Sequence, residues 1–211
     1  MTSTKTKKAR RGRPPRTSQQ AQDSRQRIIA AARALFAEEG YHGVSMRKIA
    51  ARAECSPAAL YQLFPGKRQL LLHIWNEIFV ALIDALHQCY ATAPVEDRLE
   101  TMCLLYIDFW LSRPDDYRAI FLIEDHPQAD GDSYFVDTSG VQEGLQIFRQ
   151  AIEDAQAHGA LRAGDADEMQ SVLLCGMQGV AMNLITIPEF PWGKPEVIRL
   201  ATVRALLAGL R

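Results

Sequence analysis

Apolar residues recur at intervals of three and four along most of the chain, the repeat of helices that each bury one face. From about Ser24 to Glu39 the stripe is Ile28, Ile29, Ala32, Leu35 and Phe36, and Gly40 is placed to end that helix as a C-cap. Two short helices follow. Ser45 predicts an N-cap for a helix from Met46 to Arg52, because its hydroxyl accepts from a free first-turn N–H, and Ile49 and Ala50 face inward from it. Ala53-Glu54-Cys55 makes the break. Ser56 then caps a second helix with Pro57 at its first position, where a missing N–H costs nothing. Leu60 and Phe64 share one face of this helix, leaving Ala58, Ala59, Tyr61 and Gln62 outside.

Pro65-Gly66 turns the chain into a long helix from Lys67 to about Ala91, striped by Leu70, Leu71, Ile74, Phe79, Leu82, Ile83 and Leu86. It touches both halves of the chain and would carry any signal between them. Pro94 and Pro114 predict helix starts, giving helices over about 94–112 and 114–124. Residues 125–140, with one Pro, two Gly and four Asp, read as a loop. Further helices are expected over about 141–158, from a cap at Asp165 or Asp167 to Ile187, and over 195–209. No segment shows sustained strand alternation, so the expected class is all-α with about nine helices.

Charge divides this helical chain. Residues 1–70 carry fifteen Lys or Arg against four acids, a net of +11, and residues 71–211 a net of −12. Such asymmetry predicts a nucleic-acid-binding half joined to one that is not, and the acidic half would favour one docking orientation. The short-helix pair at 46–64 has the form of a helix-turn-helix unit, whose second helix enters the major groove. Three units are expected: a disordered basic arm (1–23), a helix-turn-helix domain (24–70) and a helical C-terminal domain (71–211). In the arm, Arg11-Gly12-Arg13-Pro14 resembles the core of an AT-hook, with Arg11 and Arg13 drawn to a narrow A·T minor groove.

The residues Arg27 to Ala32, Leu35-Phe36, Gly40-Tyr41, Ser45, Ile49-Ala50, Leu60-Tyr61, Phe64, Lys67 and Leu70-Leu71 resemble the DNA-binding domain of the tetracycline-repressor (TetR) family. The resemblance covers about fifty residues without a gap. It departs at Leu63, where the family often has His. It implies phosphate contacts from Ser45, Tyr61 and Lys67, with Lys48 a further candidate. Arg47 and Gln62 are candidate base-edge readers, since Arg can be bidentate to guanine and Gln to adenine. Ala58 and Ala59 complete the exposed recognition face.

The resemblance also implies a C-terminal ligand cavity and a homodimer. Candidate apolar lining residues are Trp75, Phe79, Met102, Cys103, Tyr106, Phe109, Trp110, Tyr117, Phe121, Phe148 and Met177, with Tyr106, Arg113, Gln178 and Asn183 to orient a ligand. Tyr106 to Phe121 resembles a subtype named WHG, of whose name residues only Gly179 is kept, with Cys175 in place of the Trp and Gln178 in place of the His. The last two helices are the expected dimer surface, with Gly176 and Gly179 allowing close approach. The implied function is a cytoplasmic repressor released from a palindromic operator by a small apolar or aromatic effector; the alternative is a ligand-independent dimeric DNA-binding factor.

Other classes lack support in the sequence. No run of eighteen apolar residues predicts a membrane span, and no apolar segment follows the basic N-terminus as in a secretory signal. Cys55, Cys89, Cys103 and Cys175 form no CxxC pair, so reduced thiols are expected, with no metal or cofactor. There is no Gly-rich phosphate loop or nucleophile elbow, and Asp125-His126 has no nucleophile beside it, so no enzyme is expected.

Overall fold

The computed structural model describes residues 18–123 and 134–211, which form ten helices and no strand. Arg11, Arg13, Asp125 and His126 lie outside the described residues. The first helix, α1 (Ser18–Gly43), starts at Ser18 rather than Ser24. Residues 18–23 hold neither Pro nor Gly, so they extend the helix by backbone propensity without adding to its apolar stripe. The expected arm boundary therefore moves back. At Gly40 the backbone leaves helical geometry with φ 73°, so Gly40 ends the main helix and a single turn runs on to Gly43.

Then come α2 (Met46–Arg52) and α3 (Pro57–Leu63). Ser45 Oγ accepts from the Lys48 N–H at 3.2 Å and Ser56 Oγ from the Ala59 N–H at 3.1 Å, so both capping predictions hold. Losing either cap would cost about 1 kcal/mol. Ile28, Leu35, Ile49, Leu60 and Leu70 are fully buried and close a small core under these helices.

The chain continues through α4 (Lys67–Thr92), α5 (Val95–Leu111), α6 (Pro114–Phe121), α7 (Phe135–Thr138), α8 (Val141–Ala157), α9 (Ala166–Thr186) and α10 (Pro195–Gly209). The single turn α7 falls inside the segment expected to be loop. Phe135 packs its ring 5.4 Å from Trp75 and 5.8 Å from Phe79, a tertiary contact that periodicity does not reveal. Asp165 is the cap of α9, accepting from the N–H groups of Asp167 and Glu168.

α5 is the hub of the C-terminal half, packed against α4, α6, α8, α9 and α10. α4 has the length and apolarity of a membrane-crossing helix, but its apolar face is spent on α1, α5, α6 and α8. α6 is the bridge, since it touches α1 on one side and α4, α5 and α9 on the other. Trp75 Nε1 donates to the Ala119 carbonyl at 2.8 Å, and Arg118 donates to the Ile185 carbonyl at 2.8 Å. These bonds pin α6 to α4 and to the end of α9.

Candidate nucleic-acid interface and effector pocket

α3 buries Leu60 and turns Ala58, Tyr61 and Gln62 outward, with Ala59 half-buried. Tyr61 is 49% exposed, too open to be mainly a core residue. Arg47 is exposed on α2, and Ser45 is exposed while its hydroxyl caps the same helix. Lys48 is ion-paired with Glu39, so a phosphate would have to compete with that carboxylate. Arg52 forks onto Glu38 at 2.8 and 3.2 Å, tying α2 to α1. That hydrogen bond is the main reason the Glu38 carboxyl lies below its ordinary pKa.

Lys67 is placed differently from a free phosphate anchor. Its Nζ donates to the Tyr41 carbonyl at 2.7 Å and to the Val44 carbonyl at 2.9 Å, and it lies 4.1 Å from the Tyr41 ring centroid. Partial burial lowers its pKa. Two of its three donors clamp the chain between α1 and α2 onto the start of α4, which leaves one for DNA. The clamp joins residues far apart in sequence, which is why the sequence alone does not show it.

On the other side of this domain, His73 Nδ1 lies 3.4 Å from an Arg25 guanidinium nitrogen, and His73 Nε2 lies 3.2 Å from Glu77. The His73 pKa is lowered, first by burial and then by the Arg25 charge, with Glu77 opposing and Arg33 adding slightly. The folded state therefore favours neutral His73. Its contribution is present above the ordinary value of 6.5 and is lost as pH falls through the lower folded value. Thermal melting should accordingly occur at lower temperature as pH drops below 6.5, with a shallower pH slope in His73→Gln. Equal slopes in the two proteins would remove His73 from the account.

The expected ligand residues divide into two groups. Met102, Cys103, Trp110, Tyr117, Phe148 and Met177 are fully buried, and Tyr106 and Phe109 nearly so. They are filled core and do not line the apolar pocket. Their inward spacing was legible, but whether the space was occupied depended on how the helices meet. Tyr106 donates to Gln178 Oε1 at 3.0 Å, and Gln178 Nε2 donates to Tyr117 Oη at 2.9 Å, so these polar groups partner one another. Burial pushes the Tyr117 phenol up to about 12, with Tyr106 and Cys103 also raised. Arg113 is exposed, its guanidinium 4.2 Å from the Phe109 ring, and Asn183 donates to the Gly179 carbonyl of its own helix.

Trp75, Phe79 and Phe121 do line an open apolar pocket of about 280 Å³, together with Ile120, Ile123, Tyr134, Phe135, Val136 and Val141. The last six were missed, because most sit on or beside α7, where no apolar repeat marks them. A larger cleft of about 510 Å³ separates the end of α1 from α6. Glu39, Asp115 and Arg118 on its walls would be costly to desolvate against an apolar molecule, so the smaller pocket is the better candidate.

The outer side of α9 carries Val172, Cys175, Gly179 and Met182 at helical spacing; Val172 is 42% and Met182 49% exposed. The two glycines differ. A Cβ on Gly176 would lie 2.4 Å from Leu206 on α10, whereas a Cβ on Gly179 would meet nothing within 4 Å. Gly176 seats α10, and Gly179 opens outward.

Residues 28–74 match the profile of the bacterial regulatory proteins of the tetR family. The HTH-type transcriptional activator FasR of Mycolicibacterium smegmatis is 32% identical over 100 residues, 47% of this chain and 46% of FasR, so the chain spans about half the length of that relative. Solved structures match over far more of the fold. A tetR-family regulatory protein from Rhodococcus RHA1 has TM-score 0.71 at 21% identity, covering 89% of this chain and 96% of that one. The transcriptional regulator FadR from Bacillus subtilis, in complex with stearoyl-CoA, has TM-score 0.74 at 16% identity, covering 88% and 99%.

Proposed function

From the match of residues 28–74 to the tetR family of bacterial regulatory proteins, we propose that the chain is a regulator of that family, a cytoplasmic homodimer that binds a palindromic operator and leaves it when a small apolar or aromatic molecule enters the C-terminal half. The observation that carries this reading is the capped α2–α3 unit, which turns Arg47, Tyr61 and Gln62 outward from the basic half of the chain. Arg47 and Gln62 read base edges, Tyr61 and Ser45 hold phosphates, and Lys67 fixes the loop that presents them. The basic arm with Arg11 and Arg13 would add minor-groove contacts. Stearoyl-CoA in the fold neighbour FadR makes an acyl group one candidate for the apolar pocket. Effector and operator favour different spacings of the two DNA-binding halves, and linkage makes each weaken the other.

Selection of binding sites from random duplex DNA tests the reading. Lys67→Ala and Tyr61→Phe should weaken binding about equally across operator variants. Arg47→Ala or Gln62→Ala should relax preference at one base pair, by roughly 1–3 kcal/mol for a bidentate contact. If all four variants lose affinity with the preferred sequence unchanged, the reader assignment is wrong.

The similarity to FasR, which is named as an activator, supports a second reading, in which the same operator complex stimulates transcription. A reporter driven by the selected operator separates the two by the sign of its response. A protein that no apolar or aromatic compound releases from DNA would be the ligand-independent factor.

A further inference from the structure

Arg33 stands where α1, α4 and α6 meet. One guanidinium nitrogen lies 3.6 Å from a Glu77 oxygen on α4, and the other lies 3.8 Å from an Asp116 oxygen on α6. Both are ion-pair separations, too long for hydrogen bonds. The Arg33 Nε–H is buried and has no acceptor. A planar fork that normally closes on a carboxylate with two parallel bonds is thus held between two carboxylates and closed on neither. Glu77 also has a competing partner in His73, at 3.2 Å. A small rotation of either helix would let Arg33 close on one carboxylate and draw it away from the other. That is a two-state element.

α6 is the part able to bias it. Asp116 and Ile120 are four apart on this helix and so lie on one side of it. Ile120 and Phe121 are walls of the apolar pocket, and Trp75, another wall, donates to the Ala119 carbonyl between them and Asp116. A molecule seated against Ile120 and Phe121 therefore presses on the helix that carries Asp116. On the opposite side of the junction, α1 packs against α2 of the helix-turn-helix unit.

We propose that Arg33 is a positioning residue that couples the apolar pocket to DNA binding: closed on Asp116 it holds α1 against α6 in the operator-binding arrangement, and passed to Glu77 it lets α6 move away. The inference rests on the regulatory reading above. It needs no large energy, because a switch between two states of similar stability responds to a modest bias.

The test uses the full-length protein, the operator recovered from random DNA, and binding measured by fluorescence anisotropy without effector. Asp116→Asn leaves Arg33 to Glu77 and should weaken operator binding about fivefold or more, whereas Glu77→Gln leaves it to Asp116 and should strengthen binding. Both effects should vanish in an Arg33→Gln background. A merely stabilising ion pair would instead lower the melting temperature in both variants and shift affinity in one direction. Shifts of the same sign, shifts under about twofold, or shifts that persist without Arg33 overturn the coupling. A wild-type protein that selects no duplex defeats the regulatory reading and the coupling with it. One that selects a duplex but fails these comparisons defeats the coupling alone.

Discussion

Gly179→Arg is expected to give a folded monomer that no longer holds operator DNA. A Cβ at Gly179 would meet nothing within 4 Å, so the substitution is expected to ask little of the monomer, and an interior helical glycine is itself a poor helix former. What it changes is the outward stripe of Val172, Cys175, Gly179 and Met182, where a long cation would stand in the way of a second helix. On the proposed reading each half of a palindromic operator binds one protomer, and linking two modest contacts raises affinity by about a hundredfold or more. That factor is what the variant should lose. Sedimentation gives the mass, circular dichroism the melting temperature, and anisotropy the affinity. A dimeric Gly179→Arg protein with normal operator affinity would move the interface elsewhere. Gly176→Leu is the control with the opposite outcome: it drives into Leu206, and overpacking of this kind costs about 1–3 kcal/mol, so the melting temperature should fall.

Those two glycines show what the sequence could and could not disclose. Both stand on the same helix at an allowed spacing, and nothing in the chain's pattern separates one that seats α10 from one that faces outward. The caps are the contrary case. Ser45, Ser56 and Asp165 accept from N–H groups within three residues of themselves, and Pro57 occupies a first helical position that needs no N–H, so their roles are written locally; Asp165 is the one of its two expected caps that acts. All nine expected helices are present for the same reason, since apolar stripes and terminators are local signals. α7 escaped because Phe135 meets the Trp75 and Phe79 rings of α4, far away in sequence, and no apolar stripe of its own marks it. Lys67 escaped because its partners, the Tyr41 and Val44 carbonyls, reach it only through the folded domain. In the ligand set, the aromatic and Met residues expected to face inward are buried, except Phe121, which is 38% exposed. The sequence could not distinguish a side chain that fills space, such as Met177, from one that borders a void, such as Phe79.

The second large effect should come from closing the void itself. Val136 lines the apolar pocket yet is 46% exposed, so it stands on the solvent side of the buried Trp75 and Phe79. Val136→Trp would extend an aromatic ring across about 280 Å³ of open apolar space without forcing apart a filled core. A substitution such as Met177→Trp would do the latter, because Met177 is completely buried. The pocket rewards an apolar ligand at roughly 25 cal/mol per Å² of surface removed from water, and the indole of the variant would claim part of that surface in advance. The variant should therefore melt near the wild-type temperature and bind the operator normally. Compounds that raise the wild-type melting temperature and release its DNA should act on it only at concentrations about tenfold higher or more, since each 1.4 kcal/mol of lost burial is a factor of ten. Screening apolar and aromatic compounds by thermal shift, followed by operator release from both proteins, makes the comparison. Release of the variant at unchanged concentrations would exclude this pocket as the effector site and turn attention to the cleft between α1 and α6.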